Sequence, residues 1–327
     1  MRHVLKVLCL GGWAVLAGCA TARPLATPPP PAPASSPPAE ESSFEGSASR
    51  WEADGRVGVY TSKPWGFSTN SFWIEGPEGV VIIDTQFLPS AAGELITLAE
   101  RETGKKVVLA VVLHPNPDKF NGTGVFQERG IRVVTSQQVS ALIPAVFASR
   151  SEAFAERYAP DWPTRRPQPE VFGAETTELR AGGLTLKAHV MGPGCSDAQV
   201  VVEWEGHLFV GDLVGNGTHA WLELGHQHEW LQRLAELTRL RPRFVHPGRG
   251  GSAGPELLAT ERAYLEKVIE LVRAGKPTLP VSDEAVEAAV ERVKEAFPDL
   301  GFEVFLQVGM PEVYLREAEL RAKGSGS

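Results

Sequence analysis

The sequence predicts an α/β fold, a four-layer αββα sandwich, on two observations. Lys106 to Leu113 (KVVLAVVL) is a run of β-branched residues and Leu with one Lys at its entry, the pattern of a central strand covered on both faces. Polar residues then bunch at its carboxyl end, which is where open α/β sheets place their sites. The second observation is the order of elements. Strands are followed by helix–strand pairs, and the whole succession occurs twice.

Each element rests on its own pattern. Val57–Tyr60, Thr69–Glu75 and Val80–Asp84 alternate or run apolar and are separated by Lys63-Pro64 and Gly76-Pro77. Ser90 is placed to cap a helix over Ala91–Glu102, with Gly104 after its end. A helix from Gly122 to Arg129, a strand Arg132–Thr135 and a helix Ser136–Tyr158 complete the first half. Residues 160–169 (PDWPTRRPQP) read as a loop over the surface or the cleft. Strands are expected near Thr176–Leu179, Leu184–Val190, Gln199–Trp204 and His207–Asp212. A helix Glu229–Leu240, a strand Arg243–His246 and a helix Pro255–Arg273 follow. The domain is expected over 51–280, with a helical extension at 281–327 formed by Asp283–Ala296 and Glu312–Ala322. No partner for those two helices is readable.

A chain of 327 residues holds one large domain with additions. Its 43% hydrophobic and 22% charged residues are those of a globular protein, and a net charge of −8 argues against a nucleic-acid partner.

The first residues read as targeting. Arg2 and Lys6 give a positive start, and Val7–Leu16 is too short to span a bilayer. Leu16-Ala17-Gly18-Cys19 resembles the bacterial lipobox, which implies removal of residues 1–18 and lipidation of Cys19. That cleavage removes Arg2 and Lys6 and no acid, taking the net charge from −8 to −10. Several acyl chains on one residue anchor a protein stably. Ala20 is unlike an inner-membrane retention signal, so the expected location is the cell envelope, on the outer membrane facing the periplasm. Residues 19–50 then form a tether with eight prolines between Pro24 and Pro38. Such a stretch buries no core and prefers polyproline geometry, reaching on the order of 90 Å at ~3.1 Å per residue. Cys9 and Cys19 belong to the leader and anchor, so Cys195 stands alone and no disulfide is expected in the domain.

Five motifs carry the chemistry. They are His114-x-Asn116-x-Asp118-Lys119 with Gly122; Gly79-Val80-Val81-Ile82-Ile83-Asp84-Thr85-Gln86; Gly192-Pro193-Gly194-Cys195-Ser196; Leu208-Phe209-Val210-Gly211-Asp212; and Val245-His246-Pro247-Gly248-Arg249-Gly250. In order and spacing they resemble the metallo-β-lactamase fold family from about Val57 to Lys276. The family's His-x-His-x-Asp-His keeps its first His and its Asp here. Asn116, Lys119, Cys195 and Arg249 occupy positions where the family has His.

The resemblance implies two metal sites, one at His114, Asn116 and Cys195, the other at Asp118, Lys119 and Arg249, with Asp212 bridging. Lys119 and Arg249 bring two positive charges to the second, where they can neutralise Asp118 and Asp212 in place of zinc. At the first, His114, Cys195 and Asp212 offer ligands to at most one zinc ion, and Asn116 can orient a water or a substrate carbonyl. A third reading makes Cys195 a nucleophile with His114 as its base and the Gly192–Gly194 loop as oxyanion donor. Two functions follow: a hydrolase-like lipoprotein with a degenerate metal site, acting on an ester, amide or thioester, or a non-catalytic lipoprotein that holds a small-molecule or cell-envelope ligand. His226 and His228 read as a solvated pair, and His219 as a residue of the cleft mouth. Strand alternation does not decide whether His246 faces the site or the core.

Overall fold

The computed structural model describes residues 46–324. The leader, Cys19, the rest of the tether up to residue 45, and residues 325–327 lie outside the described residues. The first sheet runs β1 (Ser47–Trp51), β2 (Asp54–Thr61), β3 (Asn70–Glu75), β4 (Val80–Ile83), β5 (Val107–Val111), β6 (Arg132–Ser136) and β7 (Glu170–Gly173), in that order. Its first four strands form an antiparallel meander, and β4 to β7 are parallel. The second sheet has the order β12-β11-β10-β9-β8, from β8 (Thr177–Ala181), β9 (Leu184–Met191), β10 (Gln199–Trp204), β11 (His207–Gly215) and β12 (Phe244–Arg249). Only β11 and β12 pair in parallel.

The two sheets face each other, with Phe72 of β3 and Phe209 of β11 meeting at 5.5 Å between ring centroids. Helix α1 (Pro89–Thr103) lies against β3, β4 and β5, with α2 (Pro117–Phe120), α3 (Thr123–Glu128) and α4 (Gln137–Tyr158) in the same half. Helices α5 (Gln227–Arg239), α6 (Glu256–Ala274), α7 (Asp283–Ala296) and α8 (Glu303–Gly324) cover the second sheet. Their apolar faces, among them Trp230, Leu234, Leu265, Val293 and Met310, join Val210 and Val245 in one buried cluster. This is the expected αββα sandwich.

Four local expectations change. Regular structure starts at Ser47, inside the stretch read as tether, because that segment pairs with β2 as the sheet's edge strand. Leu88, not Ser90, caps α1, since Pro89 takes the first turn where its missing N–H costs nothing, and Ser90 instead bonds Asp161. Strand β7 goes unseen in the sequence because its four residues carry no alternation. Helix α8 begins at Glu303 rather than Glu312 and runs through Pro311, a residue that ordinarily ends or kinks a helix. Its partners are α6 and α7 and the Leu222 segment. Gly309 permits that approach, since a Cβ there would lie 2.7 Å from Leu222 Cβ.

Candidate functional site

The end of β5 delivers the first motif to the junction of the two sheets. Leu113 O accepts a 2.6 Å hydrogen bond from Val200 N of β10, and Asp84 Oδ1 accepts from Leu113 N at 2.9 Å. Asn116 opens α2, its carbonyl accepting from the N–H groups of Lys119 and Phe120 at 2.9 and 3.3 Å. Thr85 then clamps the Lys119 carbonyl twice, through its N–H at 2.8 Å and its hydroxyl at 2.9 Å. Asp118 and Lys119 are thereby fixed with their side chains inward, 6% and 0% exposed.

Two anions and two cations meet there. Lys119 Nζ lies 3.0 Å from Asp118 Oδ2 and 2.9 Å from Asp212 Oδ1, as ion pairs without directed hydrogen-bond geometry. Arg249 donates from its two terminal nitrogens, at 2.8 Å to Asp118 Oδ2 and 2.7 Å to Asp212 Oδ1. Its Nε donates to Phe67 O at 3.1 Å, and the hydroxyl of buried Thr69 lies 3.2 Å from both Arg249 and Asp118. Phe305 and Phe302 cover the guanidinium, 4.9 and 5.7 Å from ring centre to Cζ. Gly248 lets β12 come this close, since a Cβ there would sit 2.1 Å from Asp212 Oδ1.

The electrostatics follow from burial and pairing together. Burial alone raises a carboxyl group's pKa, but Lys119 and Arg249 outweigh it and hold Asp118 and Asp212 below the usual carboxylate range. Burial alone lowers the pKa of a cation, yet the same carboxylates hold Lys119 and Arg249 above their ordinary values. Burial pushes the Asp84 carboxyl beside the cluster well up, and the two carboxylates Asp118 and Asp212 balance the two cations Lys119 and Arg249. Burial lowers His114 to about 4, leaving it a neutral ring 3.5 Å from Asp212 Oδ2.

Of the residues expected at the site, Asp118, Lys119, Asp212 and Arg249 converge, with His114 at the edge. Asn116 engages through its backbone and is only half-buried. Cys195 is buried in the apolar cluster beneath the second sheet, and its thiol donates to Gln199 Oε1 at 3.3 Å. Burial pushes that thiol well above its usual range, which removes the thiolate the nucleophile reading requires. His226 pairs with Asp197 and His228 with Glu317, while His219 is buried against Tyr264 rather than at a cleft mouth. The sequence reading missed Thr69, the Phe67 carbonyl, Phe302 and Phe305. Phe67 and Ser68 adopt left-handed backbone, φ 64° and 47°, and that bend aims the carbonyl at Arg249; neither residue type announces it.

A family profile described as the metallo-beta-lactamase superfamily matches residues 64–249, more than half of the chain. The chain belongs to that superfamily. In three dimensions it is similar to a metallo-beta-lactamase from Pontibacter korlensis, at 23% identity and TM-score 0.54, covering 68% of this chain and 99% of that one. It is similar also to DIM-1 metallo-beta-lactamase, at 18% identity and TM-score 0.55, covering 68% and 98%. The mono-zinc form of FIM-1 from Pseudomonas aeruginosa gives 19% identity and TM-score 0.53, covering 68% and 96%. These likenesses show the fold. No curated protein matches the chain in sequence.

Superfamily members typically bind zinc, and the residues here do not fit that ion. Among the described residues no three His, Cys, Asp or Glu side chains form a group able to hold a metal. The expected set His114, Cys195 and Asp212 forms no such group, and the Cys195 thiol donates to Gln199. The Lys119 ammonium sits against both carboxylates, where it repels a second cation.

Proposed function

We propose that this superfamily member is a lipid-anchored envelope protein with a degenerate metal site, in which Lys119 and Arg249 provide the two positive charges that metal ions provide elsewhere in the fold. One observation carries the reading: Asp118 and Asp212 are each within 3.0 Å of both cations, and all four side chains are nearly inaccessible. Hydrolysis of an ester, amide or thioester at this position would need a water activated by metal, and the cluster offers no open coordination position for one. The buried ion cluster therefore acts as a structural clasp between α2, β11 and β12. The envelope location rests on the Cys19 lipobox, and the ion cluster itself takes no part in hydrolysis.

Elemental analysis tests the metal-free reading. Protein purified without chelator and supplied with zinc holds well under one tightly bound equivalent. One equivalent that survives dialysis would refute the metal-free reading, and two would refute the charge replacement as well.

A further inference from the structure

A second cluster of polar groups lies between the sheets and takes no part in the ion cluster. His246, on β12, packs between Phe72 and Phe209, at 5.1 and 4.5 Å between centroids, and has no exposed surface. Its Nδ1 is 2.8 Å from Ser252 Oγ. Its Nε2 is 2.9 Å from His207 Nδ1. His207 Nε2 is in turn 3.2 Å from Asp54 Oδ2. Four side chains from β2, β11, β12 and the loop after β12 thus form one linear chain.

The charge at one end fixes every proton in it. Asp54 accepts from Arg56 Nε at 3.0 Å and from its terminal nitrogen at 2.7 Å, and this pairing holds its carboxyl at about 2. An ionised Asp54 only accepts, so His207 carries its proton on Nε2 and accepts at Nδ1. His246 must then donate from Nε2, which leaves the Nδ1 lone pair facing the Ser252 hydroxyl. The opposite set of tautomers would put a bare imidazole nitrogen against the carboxylate. Ser252 is therefore the donor to a neutral imidazole, the relation that a serine nucleophile bears to its base.

The surroundings suit acyl chemistry. Ser252 is partly exposed, while the histidine behind it is dry. The Gly251 and Ser252 N–H groups make no hydrogen bond among the described residues and are free to stabilise an oxyanion. A Cβ placed on Gly251 would meet only Asn216 Nδ2, at 3.8 Å, so the space beside this backbone is open. Asn70 Nδ2 fixes the loop by donating to Pro247 O and Gly250 O at 3.1 and 2.8 Å.

We propose that Ser252 is an acyl-accepting nucleophile, with His246 as its base and His207 and Asp54 as positioning residues, acting on a small ester or thioester. Ser252 Oγ attacks the carbonyl carbon and its proton passes to His246 Nδ1. The proton on His246 Nε2 moves to His207 Nδ1. The positive charge then rests on His207, which is equally buried but lies against Asp54, which stays ionised, instead of on His246, whose partners His207 and Ser252 carry no charge. As the bond to the leaving oxygen or sulfur breaks, that atom takes the proton from His246 Nδ1, and His207 returns its own to His246 Nε2. Water repeats the sequence to release the acid and restore Ser252. The site is separate from the ion cluster and needs no metal, so it stands or falls independently of the zinc measurement.

The test uses the full-length lipoprotein in detergent with a fluorophosphonate probe, which loses fluoride as an activated serine bonds its phosphorus. Peptide mapping is expected to place the label on Ser252 in the folded protein and not after prior heat denaturation. Ser252→Ala abolishes it. A general base contributes ~10²–10⁴-fold, so His246→Gln slows labelling at least a hundredfold. His207→Gln and Asp54→Ala slow it by about tenfold or more. In ¹⁵N spectra, wild-type His246 shows an unprotonated Nδ1, and Asp54→Ala converts it to a mixture of tautomers; loss of a merely structural contact would leave the tautomer unchanged. If His246→Gln does not fold, the Asp54→Ala rate and spectra decide. Absence of label at Ser252 in the folded wild type, or labelling that is indifferent to Asp54→Ala, would overturn the proposal.

Discussion

At the scale of single residues the ion cluster is defined by an asymmetry. A buried ion pair adds little net stability, but removing one member leaves the other charged and unpaired, at a cost of about 3–5 kcal/mol. Exposed pairs cost about 0–1 kcal/mol, so the size of the effect reports the environment. Lys119→Met and Arg249→Met are each expected to lower the urea midpoint by the larger amount near neutral pH. Adding Asp118→Asn recovers part of the loss, since the orphaned charge goes with it. Lys119→His combined with Arg249→His removes both cations and supplies two imidazoles beside Asp118, Asp212 and His114, so zinc titration should show a gain in affinity. Unchanged zinc binding would argue that the backbone, and not the side chains alone, has departed from a metal site.

Glu261 adds a separate residue-scale effect. Helix α6 carries it beneath β11, where Oε2 accepts from Gly215 N at 3.0 Å and Oε1 is without a partner. Burial lifts its pKa from 4.5 to about 8. Between those values the folded state binds the proton that the unfolded state releases. Its contribution to stability therefore falls as pH rises, by up to about 1.4 kcal/mol per unit. Glu261→Gln should remove that slope. Comparing the two proteins from pH 5 to 8 isolates it from buried His219 and His246, whose lowered pKa values act with the opposite sign.

At the scale of elements, the C-terminal extension is part of the site's wall. Phe302 and Phe305 lie over Arg249, and Trp221 meets Phe305 edge-on at 4.9 Å. Truncating a buried Phe typically costs ~3–5 kcal/mol. Phe305→Ala should destabilise by an amount in that range and expose Arg249, seen as faster reaction with an arginine reagent such as phenylglyoxal. Helix α8 also shows where the sequence was readable. Strands such as β5 and helices such as α6 stand out because burial on one or both faces imposes a period. Helix α8 was cut at Pro311, because the rule that Pro ends helices is local and the packing of Gly309 on Leu222 is not. The ion cluster was legible for a similar reason: three motifs at fixed places bring Asp118, Lys119, Asp212 and Arg249 together. Thr69, Phe302 and Phe305 come from segments without a motif. The Ser252 chain escaped because alternation left the direction of His246 open, and His207 lies 39 residues before it in sequence.

At the scale of the whole molecule, the proposal of a lipid anchor at Cys19 makes a prediction that can be checked. Among the described residues no helix is long and apolar enough to cross one. The proposed cleavage would remove Arg2 and Lys6 and take the net charge from −8 to −10, which opposes electrostatic adhesion to anionic lipid. On the proposed reading the attachment is made by acyl chains on Cys19. The two attachments respond differently to salt, because screening weakens surface charge contacts and leaves buried acyl chains in place. Wild-type protein should therefore stay in the membrane fraction through a 1 M salt wash and leave it only with detergent. Cys19→Ser should appear in the soluble fraction with an unaltered urea midpoint. Membrane retention of the folded variant would show that some other surface carries the attachment.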